Sequence, residues 1–226
     1  MASTFKDCNI LAVDLSLSSL AYAQRKTEEL KIKNIEYMQT DILNIRELGK
    51  TFDIISCAGV LHHMEDPMAG WAVLADCMRT GGLMNIGLYS QLARRHIVKI
   101  WDEIKRKDIN LINDDFKKFR KYIINSEEEH HKLIKLSIDF YSMSTYRDLL
   151  FHVQEHQFTI PKIKNWLNQL GLIFCGFDNE IILQAFKMKY PEENSQYDLD
   201  IWDAFEKENP DTFIAMYQFW CQKPSI

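Results

Sequence analysis

Along the first ninety positions the apolar residues fall in short runs separated by amphipathic stretches. Ile10-Leu-Ala-Val-Asp14 is apolar on both faces and ends in an acid, the pattern of a strand buried in a parallel sheet. Ser16 or Ser18 can cap the next segment, Leu17 to Leu30, in which Leu20, Ala23, Thr27 and Leu30 share one helical face. Ile35 to Met38 and Phe52 to Cys57 read as two further strands. Pro67 opens a helix running to about Arg79, because proline is tolerated in a first helical turn. Gly81-Gly82 ends that helix, and Leu83 to Leu88 reads as a fourth strand. The order strand, helix, strand, strand, helix, strand predicts an α/β fold with a parallel sheet.

The middle of the chain changes character. From Gln91 to Leu150 the pattern is helical and charged, without proline or glycine. Lys105 to Lys121 mixes charges of both signs, and Glu127-Glu-Glu129 with His130-His131 is a polar stretch. Such charge reads as a solvated helix face, so this block is expected to be a lid or insertion without a core of its own. Afterwards Pro161 starts a helix through Leu170, Gly171 ends it, and Leu172 to Phe177 is a strand. Ile181 to Lys189 and Asp198 to Glu208 are predicted helices, and Thr212 to Cys221 an aromatic-rich final strand. The expected organisation is a partial Rossmann-like cofactor-binding region over 1–90, a helical lid over 91–159, and an α/β segment over 160–226 that completes the same sheet.

Composition narrows the function classes. The chain has 226 residues, 46% of them hydrophobic and 26% charged, with a net charge of −5. That balance argues against a protein devoted to nonspecific phosphate binding, so nucleic acid is not indicated as a partner. Cys8, Cys57, Cys77, Cys175 and Cys221 are odd in number and form no CxxC pair, the usage expected of reduced thiols in the cytoplasm. No signal core is visible, and no run reaches the roughly 18 apolar residues of a membrane span.

In an open parallel sheet, ligands bind beyond the carboxyl ends of the strands, so the residues after each strand are the ones to inspect. Asp14 can accept hydrogen bonds from ribose hydroxyls, or serve as a helix N-terminal acid. Asp41 can accept from an adenine amino group, or act as a turn aspartate. Gly59 permits close approach of backbone to a ligand. His62 and His63 stand at the mouth of the same crevice and are candidate general bases. Adjacent histidines on an extended segment point opposite ways, so no metal site is expected there.

Order and spacing together carry more than any single residue. The series Asp14-Leu-Ser16 before a helix, Gln39-Thr-Asp41, Phe52-Asp-Ile-Ile-Ser-Cys-Ala-Gly-Val-Leu-His-His-Met-Glu-Asp-Pro67 and Arg79-Thr-Gly-Gly-Leu83 resembles class I S-adenosylmethionine-dependent methyltransferases over residues 8–90. The resemblance implies Asp14 and Leu15 at the cofactor ribose, Asp41 and Ile42 around adenine, and the backbone of Cys57, Ala58 and Gly59 beside the sulfonium. It implies a methyl acceptor that the sequence does not name. Thr80 stands where many members have proline. The segments Tyr141 to Thr159 and Trp202 to Phe213 resemble a branch in which the methyltransferase often follows tetratricopeptide repeats, though no such repeat is visible here. Tyr146, Arg147 and His152 are then candidates to line the acceptor pocket.

The family places a central strand and a glycine-rich loop before the strand that ends at Asp14. The nine residues before Ile10 hold neither. The expectation is an N-terminally truncated methyltransferase whose sheet has two facing, unpaired edges, open to self-association, or a rearranged fold that closes the gap. A non-catalytic remnant or binding module is the alternative reading. A remote third reading is a zinc protease through His152-Val-Gln-Glu-His156, which matches H-x-x-E-H and on a helix would set two histidines on one face.

Overall fold

The computed structural model describes residues 2–109, 114–152 and 154–225. Strand β1 (Ile10–Asp14) leads into helix α1 (Leu17–Glu29) and returns as β2 (Ile35–Gln39), parallel to β1 with Ile10 opposite Ile35. Ser16 rather than Ser18 is the cap of α1, its Oγ accepting from the Ser19 amide at 3.2 Å. The chain then forms β3 (Phe52–Ala58), α2 (Pro67–Asp76) and β4 (Met78–Tyr89), with β4 parallel to β3. Asp66 starts α2 by accepting from the amides of Met68 and Ala69, and Pro67 occupies the first turn.

The boundary between α2 and β4 differs from the expected one. The helix ends at Asp76, and Gly81-Gly82 lie within β4 rather than after the helix. Pairing explains this. Phe52 sits opposite Met78 while Ile54 sits opposite Leu83, so the four residues 79–82 stand against the single Asp53 and bulge out.

Four helices follow: α3 (Arg95–Arg106), α4 (Asp115–Asn125), α5 (Glu129–Ile134) and α6 (Met143–Phe151). Residues 110–113 and Val153 of the predicted lid lie outside the described residues. The tail contains α7 (Ile160–Gln169), β5 (Ile173–Phe177), α8 (Glu180–Lys189), α9 (Leu199–Glu208) and β6 (Met216–Gln222). Strand β6 runs antiparallel to both β4 and β5, so the larger sheet is mixed, in the order β3-β4-β6-β5.

The sheets make the central fact of the fold. β1 pairs only with β2, and β3 only with β4, so their facing edges carry no ladder between them. Among the described residues no strand closes the gap. Strand β1 is accordingly half-buried over Ile10 to Val13, with Asp14 exposed, instead of the fully buried strand its apolar pattern suggests. A strand is buried by its neighbours, and β1 has one.

Two hydrophobic clusters form. The larger packs Trp71, Met84, Ile86, Phe174, Trp202 and Phe219 on the four-stranded sheet. The smaller lies among α3 to α6 and buries Ile97, Ile100, Phe119, Ile123, Phe140 and Tyr146. The helical block therefore has its own core, contrary to the sequence reading. Its charge is not all solvated either, since Glu103 is 7% exposed and His131 is fully buried. Amphipathic helices whose apolar faces meet one another need no sheet to cover them.

A candidate active site in the cleft between two strand edges

A cleft of about 870 Å³ opens between the free edges of β1 and β3. Its volume is within the range of roughly 300–1,000 Å³ usual for small-molecule sites. Leu11, Val13, Ile54 and Ile55 give it apolar walls, and Asp14, Asp41 and Asp66 bring carboxylates to it. It runs along both strand edges, from Leu11 and Phe52 to the carboxyl-end residues Asp14, Asp41 and Ala58, and that last end is where this class of sheet holds ligands.

Six of the seven predicted cofactor residues line this cleft: Asp14, Leu15, Asp41, Ile42, Cys57 and Ala58. The loops carrying the two aspartates are tied together. The Thr40 amide donates to the Asp14 carbonyl at 3.3 Å, and Gln39 Nε2 donates to the Leu15 carbonyl at 2.9 Å. Asp14 Oδ1 accepts from the Ser16 amide at 2.8 Å, and Asp41 Oδ1 accepts from the Leu43 amide at 2.9 Å. Each carboxylate thus spends one oxygen on its own turn, as the plainer reading anticipated, and keeps the other for a ligand.

Gly59 is not in the lining. Its φ is +80°, and open space surrounds the position of a Cβ, so the glycine is required by backbone conformation and not by close contact. Close approach belongs to Gly87 instead. A Cβ there would stand 2.9 Å from the Ala58 Cβ, so Gly87 lets β4 press against the strand that walls the cleft. The Cys57 thiol is 6% exposed, and burial pushes its pKa up to about 12, which removes it as a nucleophile.

The two histidines separate. They lie in a 3-10 turn, Leu61–His63, rather than on an extended segment. His63 lines the cleft. His62 does not: it is fully buried, stacked on Tyr89 with ring centroids 3.7 Å apart, and neither ring nitrogen has a hydrogen-bond partner. Burial first, then the neighbouring His63 and Arg94, pull its pKa down to about 3, so it stays neutral. His62 is therefore not the general base.

His63 is better placed for that role. Its Nδ1 lies 3.0 Å from the Gln154 carbonyl, which can only accept, so the proton is on Nδ1 and Nε2 is the basic atom. Burial lowers its pKa, with the Gln154 bond opposing, and this favours the neutral base. His152 Nδ1 lies 2.8 Å from the same carbonyl and 3.3 Å from the Gln154 amide, and its ring stands 3.9 Å from that of His63. Of the three residues assigned to an acceptor pocket, His152 alone comes to this place. Tyr146 is fully buried in the helical cluster, donating to the Phe116 carbonyl at 3.4 Å, and Arg147 is exposed away from the cleft.

What sequence reasoning missed is the support behind His63. Arg94 grips Glu155 through two bonds of 2.7 and 2.6 Å, with both side chains 3% exposed. The same guanidinium covers the Tyr89 ring at 3.8 Å. The His156 amide donates to the His62 carbonyl at 2.7 Å, and the Phe158 amide to the Tyr89 carbonyl at 2.8 Å. This lacing fixes residues 154–158 and hence the carbonyl that orients His63. It also removes the geometry of a zinc protease: α6 ends at Phe151, residues 152 and 154–157 are not helical, and Glu155 is committed to Arg94. Only the H-x-x-E-H pattern hinted at Glu155, and for another role.

Residues 1–84 match a protein-family model described as a methyltransferase domain. The whole chain superposes on PKMT2 from Rickettsia typhi, solved in complex with AdoHcy, with a TM-score of 0.71 at 15% identity over 98% of this chain and 45% of that one. The fold is the Rossmann-like methyltransferase fold. An uncharacterized protein of Synechococcus sp. is 28% identical over 178 residues, which is 75% of this chain and 43% of the relative. The chain thus spans less than half the length of these two relatives. The methyltransferase fold does not by itself name a reaction, since the [4+2]-cyclase SpnF also superposes, with a TM-score of 0.51 at 9% identity over 99% of this chain and 70% of that one.

Proposed function

We propose that this chain binds S-adenosylmethionine in the cleft between β1 and β3 and belongs to a methyl-transferring enzyme of unidentified acceptor. The observation that carries the reading is the convergence of Asp14, Asp41 and the Cys57–Ala58 wall on one cleft at the strand carboxyl ends. The residues fit the group: two carboxylate acceptors suit a ribose and an adenine amino group, and the apolar walls suit a purine face. When bound, the cofactor supplies an electrophilic methyl group. Asp14 and Asp41 hold and orient, while His63 Nε2 takes a proton from an acceptor that carries one at attack. The Gln154 carbonyl keeps His63 in its tautomer.

A second reading, a binding module without catalysis, is favoured by a specific feature. No glycine lines the cleft among the described residues, and β1 and β3 meet it with unpaired edges. The longer relatives are consistent with the branch that carries tetratricopeptide repeats. Among the described residues no helix is long and apolar enough to cross a membrane, and the free cysteines fit a reducing cytoplasm.

Calorimetric titration of S-adenosylmethionine into the chain tests the proposal, with Asp14→Ala as control. Losing a charge-assisted bond of about 1.5–3 kcal/mol predicts roughly ten- to a hundredfold weaker binding in the variant. Equal affinity in both proteins removes the proposed site. Binding without methyl transfer to any acceptor of the reaction class supports the second reading.

A further inference from the structure

Away from the cleft, the helical block contains a second constellation with no part in the proposed reaction. Helix α3 turns Ile97, Ile100 and Glu103 toward its partners, so a carboxylate shares the face of two buried isoleucines. Helix α5 packs against it and delivers two histidines to that carboxylate. His130 Nε2 lies 2.5 Å from Glu103 Oε1, and His131 Nε2 lies 3.1 Å from the same oxygen. The three ligand atoms are all within 4.8 Å of one another.

His131 is the informative member. Its side chain is fully buried, and Nδ1 lies 2.7 Å from Ser126 Oγ. Nε2 has no hydrogen-bond partner despite the nearby carboxylate, because the ring directs that nitrogen beside the oxygen and not at it. A lone pair aimed beside a neighbouring acceptor is what a centre shared by both atoms requires. Leaving it empty in the interior is unfavourable, because a desolvated polar atom has no compensating bond. The Ser126 contact is the outer support that metal-bound imidazoles commonly have on their other nitrogen. Lys107 Nζ lies 3.3 Å from Glu103 Oε2, so Oε1 is the oxygen that faces both histidines.

We infer that Glu103, His130 and His131 form a three-ligand site for a zinc-class divalent cation that pins α5 to α3. Tetrahedral bonds of about 2.0–2.1 Å put ligand atoms roughly 3.3 Å apart. The Glu103–His131 pair is near that spacing already, and His130 at 15% side-chain exposure has room to open by under ~1 Å. Two histidines and one carboxylate are a recurrent zinc set, and such sets leave a fourth position open. Glu103 and His130 border an open depression of about 530 Å³ shared with Lys99, Asp102, Lys105 and Arg106, which gives solvent a route to that position. Three cations against one acid favour hydroxide or another anion there over a second metal ion.

The test is zinc titration into the untagged, chelator-stripped full chain, read by competition with a chromophoric chelator, alongside cobalt substitution read by visible absorption. The expected result is one zinc per chain at micromolar or tighter affinity, and a cobalt spectrum of tetrahedral nitrogen and oxygen ligation. His130→Ala, the more exposed of the two histidines, is expected to weaken binding at least tenfold while keeping the wild-type circular dichroism, and Glu103→Gln to do the same. No stoichiometric binding overturns the inference. So does affinity unchanged in both variants, or a cobalt spectrum with sulfur charge-transfer bands, which would assign the metal to cysteines. The cobalt spectrum needs no variant, so a substitution that unfolds the block does not protect the inference.

Discussion

His62 makes acid sensitivity a direct readout of the geometry behind the cleft. Its ring is fully buried against Tyr89, and its pKa is lowered from 6.5 to about 3. Above the unfolded value both states are neutral, and the histidine adds no pH dependence. As pH falls below it, the unfolded chain takes up a proton that the folded chain refuses, so stability is lost from pH 6.5 down toward 3. At about pH 5 the difference in proton binding amounts to about 2 kcal/mol. His62→Phe retains a flat ring for the stack and discards two nitrogens that have no partner. The variant is expected to match or exceed the wild type near neutrality and to be about 2 kcal/mol less sensitive to a shift from about pH 7.5 to about pH 5. Urea unfolding of both proteins at the two pH values, followed by tryptophan fluorescence, gives the comparison. Equal acid losses in the two proteins would refute the reasoning, since His62 would then titrate alike in both states.

Three further outcomes follow from the same elements. Arg94→Leu strands Glu155 as a buried, unpaired carboxylate and is expected to cost about 3–5 kcal/mol, whereas Arg94→Leu with Glu155→Leu recovers most of that in denaturant unfolding; a double variant as unstable as the single one contradicts it. Gly87→Ala drives a methyl into Ala58, so about 1–3 kcal/mol of stability should be lost, together with S-adenosylmethionine affinity; unfolding and titration of one sample check both. Ile54 is 55% exposed on the free edge of β3, and the unpaired edges should make the chain self-associate with rising concentration. Light scattering should show this, and Ile54→Lys should suppress it, while a wild-type monomer at all concentrations would show the edges to be inert.

The sequence marked out the strands and helices because each is a local pattern. A two-faced apolar run marked β1, Ser16 was among the candidate caps, and Pro67 and Pro161 marked helix starts. The order of acids after strands located the cleft, since strand ends in a parallel sheet share one rim. Where local signals competed the reading slipped. Gly81-Gly82 looked like a helix stop, but the ladder to β3 drew both into a strand. The His130-His131 stretch looked solvated, but packing of α5 on α3 buried one ring completely.

The side chains that would do chemistry were decided by contacts between distant positions. Gln154 orients His63 from 91 residues away, and Glu155 meets Arg94 from 61. His62 and His63 are neighbours in sequence and identical in type, yet the 3-10 turn sends one into the core and the other to the cleft. Periodicity records which face of an element is apolar, and that much the sequence determined alone. Which faces meet, and so which nitrogen is dry and which is free to take a proton, follows from how the elements pack, and only the tertiary structure decided it.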